Sequence, residues 1–221
     1  MKWTANAWQT ITPVLNRIFD MPFIQELQAG TLALDKFQFY MLQDAKYLEH
    51  FGRVLAYLGS KCEDNTQALD FFEFGKNALI VEKALHETYF MQFGLVEQPS
   101  TAIEPVCHHY IHFLKSTAAF EPLEIAVAAV LPCFWIYQVV GDVIYSKQTD
   151  AANNPYAAWI ATYSGDDFAK SVELAKNYVD EMAARTTADL RDRMLQAFVA
   201  ASQLEFLFWD AAYDKKSWMP I

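Results

Sequence analysis

Cysteine is scarce in this chain, and its three copies follow no recognisable pattern. Cys62, Cys107 and Cys133 are odd in number and irregular in spacing, and no Cys-x-x-Cys pair occurs. Disulfide frameworks and structural zinc sites depend on paired, regularly spaced cysteines, so the sequence argues against both. The opening stretch MKWTANAWQT also lacks the apolar core and the cleavage pattern of a signal peptide. We therefore expect a cytoplasmic protein.

Positively charged residues are also few. The chain has 17 Lys and Arg against 27 Asp and Glu, which gives a formal net charge of -10 at pH 7. An acidic surface repels the phosphate backbone of nucleic acids and the surface of anionic membranes. Neither nucleic acid nor a membrane is therefore expected as a partner.

Glycine is also rare, and β-strand patterning is missing. Seven glycines occur among 221 residues, with no glycine-rich phosphate loop, no internal repeat and no sustained alternation of apolar and polar residues. The composition of 53% hydrophobic and 20% charged residues allows a large buried core. The sequence predicts one all-α domain over residues 1–221, a multi-helix bundle of about eight helices.

Capping signals predict where several of these helices begin and end. Gly30 is typical of a helix C-cap, whereas Glu63-Asp64-Asn65 and Thr186-Thr187 are typical of helix starts. Pro13 predicts a kink or break in the first helix. The longest predicted helices are at about 35–61, 66–93, 121–148 and 188–214.

The apolar run from Ile125 to Tyr145 is nearly long enough to span a bilayer. It contains Pro132, Gln138, Gly141 and Asp142, and no cluster of Lys or Arg sets an orientation. We therefore expect a helix that is buried on most sides in a protein core, with the other helices packed around it.

One short segment of this run contains two side chains that could be reactive, a thiol and a phenol. Cys133 and Tyr137 are four residues apart, so a helix presents both on the same face. Pro132 removes a backbone donor and is expected to bend the helix just before the thiol. Two interpretations are open: a reactive thiol at an opened helix, or a small buried cysteine beside a core tyrosine.

Two carboxylates stand in apolar surroundings. Tyr40, Asp44 and Tyr47 share one face of the helix predicted over 35–61, and Glu205 has apolar neighbours on both sides in the sequence. A buried glutamate in such surroundings has a raised pKa, which suits a general acid. The alternative for each carboxylate is a solvent-facing position at the edge of its helix.

The histidines raise the question of a metal or haem. Glu82 and His86 are one helical turn apart, as are His108 and His112, with His109 adjacent. The Glu-x-x-His motif of carboxylate-bridged di-iron bundles does not occur in the sequence. A hydrogen-bonded structural pair and a lone metal or haem ligand are both compatible with these spacings, and we expect neither a metal nor another cofactor.

Five stretches occur in an order known from one protein family. They are Pro22-Phe23, Leu42-Gln43-Asp44 with Tyr47-Leu48, Leu131-Pro132-Cys133-Phe134-Trp135 with Tyr137, Glu205-Phe206-Leu207-Phe208-Trp209-Asp210 with Tyr213, and more weakly Pro155-Tyr156 with Trp159-Ile160 and Tyr163-Ser164. In these stretches the chain resembles the thiaminase II (TenA) family, whose fold is a haem-oxygenase-like helical bundle that binds no haem.

This resemblance implies a reaction and a set of roles. Family members hydrolyse 4-amino-5-aminomethyl-2-methylpyrimidine to the hydroxymethyl pyrimidine and ammonia, and many also cleave thiamin. Cys133 is then the nucleophile, Glu205 the acid that protonates the ring, and Asp44 the anchor of the amino-pyrimidine edge. The resemblance further implies a homotetramer without a cofactor. The implied pocket walls and hydrogen-bond partners are Tyr47, Tyr110, Tyr137, Tyr163 and Phe208.

Two other functions remain open from the sequence. One is a helical-bundle protein that binds pyrimidine or thiamin, or acts in regulation, without turning its ligand over. The other is an oxygenase with haem or iron, which shares the fold class. Binding without any product would favour the first over a hydrolase. Purified protein without metal and without visible absorbance would reject the second.

Overall fold

Every regular element in the described part of the chain is a helix. The computed structural model describes residues 2–85, 93, 102–148 and 152–219, with side chains in the first range described as far as Ile80. The helices in these ranges are α1 (Trp3–Asp20), α2 (Pro22–Ala29), α3 (Leu34–Lys61), α4 (Asn65–Leu85), α5 (Pro105–Phe120), α6 (Leu123–Lys147), α7 (Ala157–Tyr163), α8 (Asp166–Arg185) and α9 (Ala188–Asp214).

The capping residues lie where the sequence predicts them. Gly30 ends α2 in the left-handed region at φ 71°, which favours glycine. The Asp64 carboxylate accepts a hydrogen bond from the Gln67 N–H at 2.9 Å. The Thr187 hydroxyl accepts one from the Leu190 N–H at 3.2 Å. These side chains satisfy N–H groups that have no partner inside the first turn of α4 and α9. The predicted end of α4 near Gly94 lies outside the described residues.

Pro13 does not break α1, which is one continuous helix. A proline inside a helix removes one backbone hydrogen bond, here the one to the carbonyl of Gln9. The helix persists because its buried stripe extends to both sides of the proline. That stripe consists of Thr4, Ala7, Ile11, Leu15 and Ile18.

The helices form two compact units. The first unit comprises Met1–Leu32 and Glu124–Asp210, and the second comprises Ala33–Leu123 and Ala211–Ile221. The first therefore holds α1, α2, α7, α8 and nearly all of α6 and α9. The second holds α3, α4 and α5. The single domain over residues 1–221 stays a prediction.

In the first unit, other helices pack around α6, as predicted. Trp135 of α6 stacks on Trp8 of α1, with ring centroids 4.1 Å apart. Phe198 of α9 lies 6.3 Å from the same ring. The ammonium group of Lys176 on α8 lies 4.5 Å from its centroid, a cation–π distance. Three helices thus meet α6 at one indole.

The length of α6 also meets the requirement for a membrane span. Among the described residues it is the one helix long and apolar enough to cross a bilayer, and 72% of its most apolar 18-residue window is buried inside the protein. Such burial is typical of the core helix of a bundle, which is the interpretation that the sequence favours.

In the second unit, α3 and α4 pack with their backbones in contact. A Cβ atom on Gly52 would lie 2.9 Å from the carbonyl oxygen of Gly75, and one on Gly75 would lie 2.7 Å from that of Gly52. A side chain at either position would push the helices apart. The side chains of Leu79 and Phe72 of α4 lie against Gly52 and Gly59 of α3 in the same way.

Candidate active site

The thiol and the phenol of α6 lie one turn apart in the first unit. Cys133 and Tyr137 are both buried, and the thiol is not in a disulfide. α6 is continuous through Pro132, whose ring nitrogen has no hydrogen to donate to the carbonyl of Ala128. The bend expected just before the thiol stays a prediction.

A cluster of aromatic rings fixes the orientation of Tyr137. Tyr163 of α7 and Trp209 of α9 each lie 4.9 Å from the Tyr137 ring between centroids. Trp159 lies 6.2 Å from Tyr137 and 4.8 Å from Tyr163. Their tilted geometries are those that aromatic pairs prefer in protein interiors. The phenol of Tyr137 is therefore held by rings from two other helices.

Gly141 allows α7 to approach this cluster. A Cβ atom at this position would lie 2.8 Å from the Cβ and carbonyl carbon of Tyr163. Position 141 is one helical turn after Tyr137, and any side chain there would displace the helix that carries Tyr163. Sequence reasoning missed this role, although a lone glycine inside a buried apolar helix signals a close backbone contact.

Glu205 lies on the side of α9 that contacts α6. Phe198, Glu205 and Trp209 are spaced i, i+7 and i+11, so they occupy one stripe of the helix. The two aromatic residues at its ends contact Trp135 and Tyr137 of α6. Glu205 is only 1% exposed. The alternative of a solvent-facing glutamate is therefore wrong. Phe208, in the next turn, is buried as well.

The second unit holds the other predicted carboxylate. Asp44 of α3 is 2% exposed, so its alternative at a solvent-facing edge is also wrong. The ring of Tyr47, one turn on, stacks on Phe51 at 5.4 Å and lies 4.8 Å from the ring of Tyr110 on α5. All four side chains are buried. The unit thus brings Tyr47 and Tyr110 together on facing helices, beside the turn that carries Asp44.

The buried amide of Gln43 ties the start of α5 to α3. Its Nε2 donates to the carbonyl of Ala102 at 3.1 Å, and its Oε1 accepts from the N–H of Glu104 at 2.8 Å. Both hydrogen bonds hold backbone that leads directly into α5, the helix of Tyr110. The sequence gives no signal for this clamp, because its partners are about 60 positions away.

A second buried thiol lies beside this clamp. Cys107 donates from Sγ to the carbonyl oxygen of Gln43 at 3.4 Å. Burial raises the pKa of this thiol well above its ordinary value, and the negative charges of Asp44 and Glu104 raise it further. Cys107 is therefore a packed, protonated thiol rather than a nucleophile.

The histidines of α5 lie on its exposed side. The rings of His108 and His112 are 4.2 Å apart, and Trp218 lies 5.7 Å from His108. Over the described ranges, no three or more His, Cys, Asp or Glu side chains are placed to hold a metal ion. His86 lies outside the described residues.

The predicted site residues therefore belong to two groups. The first unit carries Cys133, Tyr137, Tyr163, Glu205 and Phe208. The second unit carries Asp44, Tyr47 and Tyr110. Both groups are buried and rich in aromatic rings, which are features of sites for flat organic ligands.

The chain has relatives in sequence that show its family. The model of the TENA/THI-4/PQQC family matches residues 8–215. The chain is 34% identical over 203 residues to the aminopyrimidine aminohydrolase of Bacillus subtilis (strain 168), a match covering 90% of this chain and 85% of that protein. It is also 34% identical over 216 residues to the thiamine biosynthesis multifunctional protein ThiED of Corynebacterium efficiens, covering 98% of this chain and 29% of that longer protein.

Solved structures confirm the fold. The TenA homologue protein from P. horikoshii OT3 matches with a TM-score of 0.80 at 27% identity, covering 97% of this chain and 99% of that one. A domain with a heme oxygenase-like fold from Shewanella denitrificans OS217 matches with a TM-score of 0.73, over 96% of this chain and 92% of that one. At 16% identity, this second likeness shows the fold alone. The protein is thus an all-α, haem-oxygenase-like bundle, and the chain belongs to the TENA/THI-4/PQQC family.

Proposed function

We propose that this protein is an aminopyrimidine aminohydrolase of thiamin salvage. It converts 4-amino-5-aminomethyl-2-methylpyrimidine and water to the hydroxymethyl pyrimidine and ammonia, and it also cleaves thiamin as a thiaminase II. The observation that carries the proposal is a buried thiol, Cys133, and a buried carboxyl, Glu205, on two helices that contact each other. The aminopyrimidine aminohydrolase of B. subtilis, at 34% identity, supports the same substrate class.

The reaction needs a nucleophile because an aromatic pyrimidine does not readily expel a group from its methylene. The Cys133 thiolate forms an S–C bond to a ring carbon, and the ring loses its aromaticity while a ring nitrogen takes up a proton. The electron pair returned by the ring breaks the exocyclic C–N bond, and the amine leaves with a proton as ammonia. Water adds to the exocyclic carbon, the S–C bond breaks, and aromaticity is restored.

Glu205 is the proposed proton donor to the ring. A carboxyl with 1% exposure is poorly solvated in its charged form, and desolvation favours the protonated acid. Such a group can give its proton to the ring as the thiolate adds and can take it back as the thiol departs. Its place on the stripe of α9 that contacts α6 supports this role.

The remaining residues bind and orient. Asp44 is the proposed anchor of the amino-pyrimidine edge, since a carboxylate can accept two hydrogen bonds from an amidine-like group. The aromatic side chains exclude water and align the flat ring. These walls are Tyr47, Tyr110, Tyr137, Tyr163 and Phe208.

The proposal extends to the state of the protein. The enzyme acts in the cytoplasm as a homotetramer, and its substrates are small pyrimidines or thiamin. It needs neither metal nor organic cofactor, because the thiol and the carboxyl supply the nucleophile and the proton. Nucleic acids and membranes are not partners, in keeping with the net charge of -10.

Product analysis tests the proposal directly. The purified protein is incubated separately with the aminomethyl pyrimidine and with thiamin, and ammonia and pyrimidine products are quantified by chromatography. We expect the hydroxymethyl pyrimidine and ammonia in equal amounts from the first substrate. Saturable binding of both compounds without any product would reject the hydrolase and favour a binding or regulatory protein.

A further inference from the structure

Helix α7 is too short to be stable alone, yet it carries two aromatic side chains of the candidate site. It has seven residues, and isolated helices of this length do not persist in water. Its Trp159 and Tyr163 contact the ring of Tyr137, one helical turn after Cys133. The contacts of α7 with the rest of the first unit therefore decide where these two rings lie.

The amide of Asn154 ties the residues before α7 to the end of α2. Its Nδ2 donates to the carbonyl of Leu27 at 3.0 Å and to that of Gln28 at 3.2 Å. Its Oδ1 accepts from the N–H of Tyr156 at 2.9 Å, which forms a turn that leads into α7. Asn154 is buried, so water competes little for these hydrogen bonds. One amide thus joins two helices of the first unit.

A phenol and a glycine add to this contact. Tyr156, which is also buried, donates from its hydroxyl to the carbonyl of Leu32, just after α2. A Cβ atom on Gly30 would lie 3.3 Å from Cδ of Pro155, so the left-handed end of α2 packs directly on the loop before α7. The last carbonyls of a helix need partners from outside it, and here the loop supplies them.

The position of α7 determines the position of Tyr163 in the site. Its ring centroid lies 4.9 Å from that of Tyr137 and 4.8 Å from that of Trp159. Its backbone lies so close to Gly141 of α6 that a Cβ atom there would be 2.8 Å away. Close-packed groups of this kind cannot shift independently, so a movement of α7 moves Tyr163 against Tyr137. A misplacement of about 1 Å far from the reacting atoms can lower turnover a hundredfold.

We propose that Asn154 is a positioning residue of the candidate active site. Its amide fixes α7 on the end of α2 and thereby sets the rings of Tyr163 and Trp159 against Tyr137. The effect on turnover rests on the proposed function, in which Tyr137 and Tyr163 are walls of the substrate pocket. The placement of α7 rests on contacts within the first unit alone.

Asn154→Asp tests the inference on the full chain. The carboxylate keeps an acceptor for the N–H of Tyr156, but it places an oxygen where the amide of Asn154 donates to two carbonyl oxygens. We expect kcat for the aminomethyl pyrimidine to fall at least about tenfold, at a temperature where circular dichroism shows a fully folded variant. Hydrogen exchange at the amides of α7, read by mass spectrometry, is expected to become at least about tenfold faster.

Tyr156→Phe and Thr4→Val form a matched pair, and the first of them keeps the test decisive if the aspartate variant fails to fold. Each removes one hydroxyl hydrogen bond of a buried side chain, from Tyr156 to the carbonyl of Leu32 or from Thr4 to the carboxylate of Asp180. We expect Tyr156→Phe to lower kcat about threefold and to speed exchange in α7. Thr4→Val should change neither, because its hydrogen bond joins α1 to α8.

The outcomes separate this inference from the proposed function. A wild type that releases no ammonia rejects the hydrolase, and the exchange rate of α7 then decides whether Asn154 places this helix. Exchange in α7 that is no faster in Asn154→Asp or Tyr156→Phe than in Thr4→Val overturns the inference. In an active enzyme, a folded Asn154→Asp variant with the kcat of Thr4→Val overturns it as well, since Asn154 would then contribute to stability alone.

Discussion

The two buried thiols of this protein lie in contrasting surroundings. Cys133 in the first unit shares a helix face with Tyr137, whose ring is held by rings from α7 and α9. Cys107 in the second unit donates to a backbone carbonyl, and burial with nearby carboxylates raises its pKa. Both thiols have almost no exposed surface.

The contrast shows that burial alone does not identify a nucleophile. The reactive species is the thiolate, so the neighbours of the sulfur decide whether it can react. The carboxylates near Cys107 favour the neutral thiol, and its hydrogen bond to Gln43 fixes it as a packing group. The description of a small buried filler, which the sequence left open for Cys133, fits Cys107.

The largest expected effect comes from exchanging each sulfur for oxygen. Cys133→Ser should lower ammonia release from the aminomethyl pyrimidine by about three orders of magnitude or more, since a serine hydroxyl is a far weaker nucleophile than a thiolate. Cys107→Ser can still donate to the carbonyl of Gln43 and should keep turnover within about threefold, because it changes packing only. Equal losses of activity in both variants would contradict the different roles given to Cys133 and Cys107.

Glu205, the proposed proton donor, should give the next largest effect. Glu205→Gln keeps the size and the hydrogen bonding of the side chain but removes the transferable proton. We expect kcat to fall by about 10² to 10⁴, the range for loss of a general acid, with a smaller change in KM. A pH profile of kcat should lose the limb that reports this carboxyl. An unchanged kcat with a raised KM would make Glu205 a binding residue instead.

The two hydrogen bonds of Gln43, which lie beside Cys107, should affect stability more than catalysis. Gln43→Leu removes two part-buried hydrogen bonds, those to the carbonyl of Ala102 and from the N–H of Glu104, which should cost about 2 to 4 kcal/mol of unfolding free energy. Gln38→Leu removes one side-chain hydrogen bond from the same helix and is the comparison variant, with less than half that loss. Urea unfolding measures both. Equal losses in the two variants would contradict the role of Gln43.

The close contact between Gly141 of α6 and Tyr163 of α7 gives the smallest expected effect. Gly141→Ala places a Cβ atom 2.8 Å from Tyr163 and should cost about 1 to 3 kcal/mol through overpacking. Gly165→Ala meets no atom nearer than 3.6 Å and should stay within about 1 kcal/mol of the wild type. Thermal unfolding compares the two. If they lose equal stability, the α6–α7 contact does not depend on glycine at position 141.

Much of the fold was predictable because its signals are local. Gly30, Asp64 and Thr187 cap their helices through backbone geometry or hydrogen bonds that span three residues or fewer. The break that Pro13 allowed is wrong for the same reason, while the kink stays a prediction. A local rule predicts a kink or break, whereas the buried stripe on both sides of the proline decides the outcome.

The site was predictable only in part. The i, i+4 spacing placed Cys133 and Tyr137 on one face. The apolar neighbours of Asp44 and Glu205 pointed to buried positions for these two carboxylates. The contacts of Gly141 and Gln43 were not readable, because their partners are 22 and about 60 positions away in the chain. Only the packing of whole helices brings such positions together.

The measurement closest to the central claim is the alkylation of each thiol in the folded protein. The protein is treated with iodoacetamide near neutral pH, with and without the aminomethyl pyrimidine, and the rate at each cysteine is read by peptide mass mapping. The partly exposed Cys62 serves as a reference. We predict that Cys133 is alkylated and is protected by the pyrimidine, while Cys107 reacts only after unfolding. Alkylation of Cys107 ahead of Cys133, or a Cys133 rate that the pyrimidine does not change, would contradict the account.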